Sequence, residues 1–512
     1  MNKKITSTIL ISLILLLSIT FTTGFAKLIP INTSIPDTTD KGNAWHIETV
    51  DSNDSVGSFE SIAIDSSNNP HIAYIGNSDG LKYAYYDGSE WYIEIVEGEI
   101  GMGQYPDIAL DSNDRPHISH RDAVNQELRY AYYDGSQWNT ETVDNEGNVG
   151  KYTSIAIDSN DKPHISYFDS TNGDLKYAYH DGNQWHTETV DSQGIAGQDT
   201  SIALDSNDKS HISYYGAVGK GADLKYAYHD GNQWHTETVD SGGFVGEFTS
   251  IAIDSNDKPH ISYYDSSNDN LKYAYKDGNQ WNTETVDVIG QVGVTTSIAL
   301  DGKDKPHISY YCSTYQELKY AYKDGNTWQK ETVDSEGNVG LSSSLALDNN
   351  DVPHITYWDA TNGNLKYAHT VPGYDLTVLL SGGGTTDPAA GTYTYAVGTP
   401  VEVTAYEDGT HVFSHWELDE VNVGSSNPFT VTMDSHHTIK ALFALMGDLN
   451  DNGVVEVGDI VYLINYLYKE GEAPEPMESG DVNCDGTVNV GDVVYLINYL
   501  YKNGTPPESC KY

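Results

Sequence analysis

Residues 154–191 read Ser154-Ile-Ala-Ile-Asp158, Ser-Asn-Asp-Lys-Pro, His164-Ile-Ser-Tyr-Phe168, Asp-Ser-Thr-Asn-Gly-Asp, Leu175-Lys-Tyr-Ala-Tyr-His180, Asp-Gly-Asn-Gln and Trp185-His-Thr-Glu-Thr-Val-Asp191. Four short runs alternate or are β-branched, and clusters of Asp, Asn, Ser and Gly separate them. Such clusters make turns, because their side chains bond nearby backbone or accept a positive φ. The stretch reads as four consecutive strands.

The pattern recurs. Trp45, Trp91, Trp138, Trp185, Trp234, Trp281 and Trp328 lie 46 to 49 residues apart. The Ser-Ile-Ala run recurs at 61–65, 107–111, 154–158, 201–205, 250–254, 297–301 and 344–348. His71, His117, His164, His211, His260, His307 and His354 open the next run, and Leu81, Leu128, Leu175, Leu224, Leu271, Leu318 and Leu365 the one after. Four strands per unit of about 47 residues match a propeller blade, and solenoids have the wrong period. The small central Ala suits the crowded strand nearest the axis. Residues 45–370 therefore predict a seven-bladed β-propeller. The chain opens on a Trp strand and ends the array on a Leu-Lys-Tyr-Ala strand without one. Seven blades close only if the strand at Trp45 completes the blade begun at Ser344, which removes a free edge.

Composition agrees with a mainly β protein: 39 Tyr, 9 Phe and 47 Gly in 512 residues. The net charge of −48 argues against nucleic-acid or anionic-membrane partners, which need clustered cations. Lys3 and Lys4, the apolar run Ile9–Leu17, and small residues at Gly24 and Ala26 read as a signal peptide over residues 1–26. The run is short for a membrane crossing of about 20 residues. Residues 27–44 then form a linker, nothing downstream predicts a membrane span, and the mature chain is expected to be secreted or surface-attached. Of Cys312, Cys484 and Cys510 at most one pair can bridge. Cys312 reads as free, and pairing of Cys484 with Cys510 is left open.

The seven His residues each follow an Asp by six positions, as Asp65 and His71 do. A buried Asp–His hydrogen bond pinning each blade is expected, comparable to the polar network of WD-repeat propellers, although the Trp-Asp dipeptide is absent. The Asp-Gly-x-x-Trp turns bear a faint resemblance to sialidase Asp-boxes. Their Asp and Gly are adjacent, however, and Arg115, Arg121 and Arg129 are the only arginines, so no three-Arg clamp exists. Two residues past the small residue of each His-Ile strand, the blades differ: Ile75, Arg121, Phe168, Tyr215, Tyr264, Tyr311 and Trp358. Interblade packing is one reading. An aromatic ring of Phe168, Tyr215, Tyr264, Tyr311 and Trp358, stacking on a sugar, is the other. No catalytic set is assigned; His120 and Arg121 are the weak candidates, as in propeller polysaccharide lyases.

Residues 374–445 change pattern, with turns at Gly382–Gly384 and Asp387-Pro388 and alternating runs at 401–405, 429–433 and 438–443. Gly391-Thr-Tyr-Thr-Tyr395, Val412-Phe-Ser-His-Trp-Glu-Leu-Asp419 and Lys440-Ala-Leu-Phe443 resemble the divergent internalin-type bacterial β-repeat. The resemblance implies a small β spacer or adhesion domain. His411, His415, His436 and His437 read as solvated loop residues.

Residues 447–505 carry the strongest motif. Asp448, Asn450, Asn452, Gly453, Val454, Glu456 and Asp459 fall at loop positions 1, 3, 5, 6, 7, 9 and 12. Asp481, Asn483, Asp485, Gly486, Thr487, Asn489 and Asp492 repeat them 33 residues later. Oxygen donors at this spacing, with Gly for the sharp turn and a carbonyl at position 7, suit two Ca2+ ions. Each loop opens a Tyr-Leu-Ile-Asn-Tyr-Leu-Tyr helix. The pair resembles a type I dockerin, which implies calcium-dependent folding and a cohesin-like partner. The Ser-Thr recognition pair common at positions 10 and 11 is replaced by Val457-Gly458 and Val490-Gly491. Residues 506–512 are a tail.

The combined reading is a secreted, non-catalytic binding or scaffold protein. Its propeller takes a glycan or protein, and its dockerin-like module attaches it in a calcium-dependent way, in the setting of polysaccharide degradation. The alternatives are a lyase-type polysaccharide-degrading enzyme and a surface adhesin or spacer.

Overall fold

The computed structural model describes residues 43–53, 56–218 and 221–510. The signal-peptide reading lies outside them, as does nearly all of the linker.

Val56–Ile64, Pro70–Gly76, Gly80–Tyr86 and Trp91–Glu97 pair antiparallel in chain order as the first blade. Five further four-stranded sheets repeat that order. The last sheet contributes Val339–Leu347, Pro353–Asp359 and Asn364–Ser381, and Asn43–Asp51 supplies its outer strand. There Trp45 faces Thr370, Ile47 faces Ala368 and Asp51 faces Leu365. The innermost strands of successive sheets adjoin one another, and Val56–Ile64 adjoins Val339–Leu347. The described residues thus form a closed β-propeller of seven sheets with N-terminal strand closure.

Three sets of repeated bonds join the blades. Near the axis, a backbone N–H of one inner strand donates to a Ser or Asp side chain of the preceding one. Ile202 to Ser154 spans 3.2 Å, and Ile62 to Ser344 spans 3.3 Å across the closure. At the rim, each Trp indole donates to a Glu of the preceding blade at 2.8–3.1 Å, including Trp45 to Glu331 and Trp91 to Glu48. Each Trp also meets a Tyr of that blade edge-on, as Trp185 does Tyr130 at 5.1 Å. Between these layers, Tyr74 donates to Asp51 at 2.8 Å and Lys82 pairs with the same carboxylate at 2.5 Å. Bonds of this kind stabilise by about 1 kcal/mol net each. Summed around the ring they are on the scale of a domain's net stability, about 5–15 kcal/mol.

The blade histidines correct one expectation. Their Nε2 atoms stand 3.5–3.8 Å from the turn aspartates, beyond a good hydrogen bond. Asp65 spends its carboxylate on the turn instead, accepting from the amides of Ser67 at 2.9 Å and Asn69 at 2.7 Å. The close partner of each His is a Tyr hydroxyl on the next strand, as in His71 Nδ1 to Tyr83 at 2.5 Å. A proton on Nε2, facing the carboxylate, leaves Nδ1 to accept from that hydroxyl.

Asn364–Ser381 runs unbroken from the last blade into the next sheet, so no loop separates 370 from 374. That second domain buries Trp416 against Leu376, Val378, Val403 and Ile439. His411 and His415 lie on the strand His411–Leu418 and not in a loop, while His437 is held between Asp419 at 2.7 Å and Asp434 at 3.0 Å. Helices α1 (Val457–Lys469) and α2 (Val490–Lys502) follow and bury Ile460, Leu463, Val493 and Leu496 between them. Among the described residues no helix is long and apolar enough to cross a membrane.

Burial holds the imidazoles of His71, His117, His164, His211, His260, His307 and His354 below their ordinary range. A depressed folded-state value contributes stability above the free value of about 6.5, lost as pH falls and the unfolded chain takes up protons. Raised carboxyls such as Glu60 and Asp199 act the other way, but they are fewer. Thermal unfolding of the propeller should therefore drop steadily between pH 7 and pH 5. A flat or rising Tm over that window would contradict neutral buried imidazoles.

Candidate functional site

Six of the seven inner strands kink two residues before the Ser-Ile-Ala run. Tyr105, Tyr152, Asp199, Phe248, Thr295 and Ser342 adopt φ of 48–56°, a left-handed backbone unusual for such residues. Register shifts at the same points mark β-bulges. The bulges bring these side chains, with Phe59, to the wall of the axial channel, a cavity of about 370 Å³. Phe59 meets Tyr105, and Tyr105 meets Tyr152, each pair with ring centroids 4.8 Å apart. Burial among these groups pushes the Asp199 carboxyl up to about 6, opposed in part by the Phe248 amide 2.9 Å away. Sequence reasoning missed this wall. Its signal was the variation among copies two residues before each Ser-Ile-Ala run.

Of the two readings of the varied positions, the sugar-stacking ring is largely withdrawn from solvent. Phe168, Tyr264 and Tyr311 are only 6, 3 and 5% exposed, while Tyr215 and Trp358 are half-buried. Two of the tyrosine hydroxyls are spent locally. Tyr311 donates to Asn338 and Tyr264 to Asp269, both at 2.7 Å. Packing between blades is what these positions do.

Arg121 is likewise buried, donating to Gln104 at 2.8 Å and Asn148 at 2.9 Å. His120 is fully buried at the site where six blades place a Tyr that donates to an Asp of the preceding blade. In this blade the Asp is Glu97 and the partner Lys is Arg129. The shorter His is met by a longer acid and a longer base, so the gap stays filled. His120 Nε2 lies 3.5 Å from Glu97, and burial pushes its imidazole down to about 4. His120 is sealed from solvent, while the Glu97 side chain is 11% exposed.

The two C-terminal loops superpose in their bonding. Asp459 accepts from the amides of Leu449 at 2.8 Å, Asn450 at 3.1 Å and Glu456 at 2.7 Å. Asp492 accepts from Asn483 at 3.1 Å and Asn489 at 2.8 Å. Asp448 and Asp481 accept from the position-5 and position-6 amides at 2.6–3.2 Å. Glu456 and Asn489 cap the helices, which start at Val457 and Val490, two residues before the Asp expected to open them. A Cβ added to Gly491 would lie 2.7, 2.9 and 3.7 Å from Asn483, Asn489 and Asp485. The side chains of positions 3, 5 and 9 therefore converge on one point that Gly at position 11 leaves clear, Asn483 with its amide nitrogen there and its oxygen brought in by turning the amide over. Neighbouring Asp481 and Asp485 add to the burial that raises the Asp492 carboxyl, a repulsion that a cation would relieve. Among the described residues no group of His, Cys, Asp and Glu side chains alone makes a metal cage. The fit to a hard cation rests on Asn oxygens and the Val454 and Thr487 carbonyls together with the acids. Asn489 Nδ2 now donates to Asp485, and turning that amide over presents its oxygen instead. Cys484, at position 4 of the second loop, is bridged to Cys510, settling the open pairing, and Cys312 is free and buried.

Opposite the buried faces of the helices, α1 exposes Val457, Val461 and Tyr468 at 52, 52 and 66%. On α2, Val490, Val494 and Tyr501 are exposed at 53, 51 and 66%. The two surfaces are copies of one another.

If His120, Glu97 and Arg129 form one packing unit, their exchanges are coupled. His120→Tyr alone should overpack the gap and destabilise by about 1–3 kcal/mol. Combined with Glu97→Asp and Arg129→Lys, it should recover the parent Tm. A harmless single change, or a triple variant no better than the single, would break the coupling.

Two segments match known domain families: residues 446–506 the dockerin type I domain, and residues 374–447 the divergent InlB B-repeat domain. No curated protein matches the chain. Solved structures with a similar fold include AofleA from Arthrobotrys oligospora, at 13% identity and TM-score 0.42 over 58% of this chain and 90% of that one. The polysaccharide lyase PL25-Ulvanlyase aligns at 13% identity and TM-score 0.44 over 64% and 93%. The fucose-specific lectin from Aleuria aurantia aligns at 14% identity and TM-score 0.38 over 54% and 96%.

Proposed function

We propose that this chain is a secreted, non-catalytic binding protein held in place through its C-terminal module. Asp448, Asn450, Asn452, Val454, Glu456 and Asp459 would hold one Ca2+. Asp481, Asn483, Asp485, Thr487, Asn489 and Asp492 would hold a second. The ions supply the charge that lets two acid-rich loops close against the helix starts. The propeller binds a glycan or a protein, consistent with work on polysaccharides.

The duplicated exposed face of α1 and α2 carries this reading. Val, Val and Tyr stand at equivalent places on both helices with nearly equal exposure, and apolar patches of this kind mark protein-docking surfaces. The partner proposed is a cohesin-type domain. Because the copies match, either helix can lead, in two orientations related by a half-turn. Val457-Gly458 and Val490-Gly491 make the contact apolar where a hydroxyl pair is common, so the partner's matching surface should be apolar too.

The test is binding of the full chain to a panel of cohesin domains with calcium and with excess chelator. Binding should require calcium, and chelator should abolish the helical signal of α1 and α2. Val461→Glu or Val494→Glu alone should weaken binding about twofold, and the two together at least 100-fold. Unchanged helicity in chelator would refute the calcium role. Loss of binding from one substitution alone would refute the two orientations.

A further inference from the structure

Seven near-copies of one blade act as internal controls: where they agree, blade packing sets the residue, and where they diverge, something else does. The inner strands agree through Ser-Ile-Ala and diverge at the channel wall just before it. Phe59, Tyr105 and Tyr152 form a continuous aromatic arc over three consecutive blades. Asp199 and Phe248 follow, and the last two blades carry Thr and Ser.

The same channel is acidic. Glu60, Asp107 and Asp199 line it, and no Lys, Arg or His is among its lining residues. Asp107 is satisfied by the Ser61 hydroxyl at 2.5 Å and the Ile155 amide at 2.8 Å. Glu60 is not: only 7% exposed, its carboxyl finds no well-formed hydrogen bond and has only the backbone of Trp358 for support. Equivalent positions on the other blades hold Pro, Thr or Ser, and Thr153 donates to Ser119 at 2.9 Å. Glu60 thus departs from a satisfied pattern, with a carboxyl shut in behind the channel wall against the backbone of Trp358. Arg121, whose charge acts on Tyr105, is committed to Gln104 and Asn148.

We propose that the channel mouth binds an amine-bearing sugar, a glucosamine-type oligosaccharide end, with its ring on the aromatic arc and its ammonium toward the carboxylates. The inference rests on the reading of the propeller as a glycan binder and narrows the glycan. A cavity of about 370 Å³ accommodates a sugar residue or two. Aromatic faces attract both sugar C–H groups and cations. A neutral sugar would leave the acids unpaired in a low-dielectric channel, and a uronate or sulfated sugar would be repelled. The mouth also stays accessible. Ser342 lies level with Trp358 and Leu365, whereas the strand leading to the dockerin-type segment leaves past His369, at the other end of the blade.

The experiment is calorimetric titration of the full chain, in calcium at pH 6.5, with a glucosamine tetramer and with the same tetramer fully N-acetylated. A general glycan array is run in parallel. The amine form should bind at least tenfold more tightly. Asp199→Asn and Tyr152→Ala should each reduce its affinity about tenfold without lowering Tm. Equal affinity for the two tetramers, or full affinity in Asp199→Asn, would overturn the proposal. Binding of a neutral glycan on the array without the amine tetramer would overturn the amine inference and leave glycan binding standing. Silence across array and tetramers would overturn both.

Discussion

One strand holds the ring shut. Asn43–Asp51 lies along Asn364–Ser381, joining the first described residues to the last blade. The seam is bonded like the other junctions: Trp45 to Glu331, Trp91 to Glu48, Ile62 to Ser344, and Tyr74 with Lys82 on Asp51. An open array would leave two bare sheet edges, each a template for pairing with another chain. Closure removes both and makes the blades mutually supporting. Because each junction is satisfied by the neighbouring copy, no blade reaches its full set of bonds until all are present.

That dependence explains why so much of the architecture was legible. A 47-residue period, four turn-bounded runs per period and an unmatched Trp strand at the start leave little choice of topology. The calcium-type loops were legible because donor spacing is dictated by the loop itself. Three features were not. Asp65 and His71 sit close in sequence, but the turn amides consume the carboxylate, so His71 turns to Tyr83, a partner set by sheet register. The varied aromatics Phe168, Tyr264 and Tyr311 looked equally suited to a binding face or to packing, and only three-dimensional burial separates these. The channel wall was hidden because a bulge re-aims Tyr105, Tyr152 and Asp199, and bulges leave no mark in a simple alternation.

Blade two shows how the fold absorbs change. Tyr, Asp and Lys in six blades become His120, Glu97 and Arg129 in one, and the junction keeps its volume and its ion pair. An irregularity that reads in sequence as a reactive cluster is in space a repacked seam. The irregularity at Glu60 differs in setting: a lone carboxyl shut in behind the channel wall, with only the Trp358 backbone to answer it. The two ends of the chain then divide the work. The ring presents an acidic, aromatic-walled mouth, and the C-terminal helices present paired apolar faces, with the strand Asn364–Ser381 running from the ring into the second domain without a break.

Native-state hydrogen exchange of the full chain tests strand closure most directly. If Asn43–Asp51 locks the ring, its paired amides exchange only through global opening, with the same free energy as the amides of a central strand such as Pro163–Asp169. Exchange of the Asn43–Asp51 amides like a frayed terminus, while the other blades stay protected, would contradict the account.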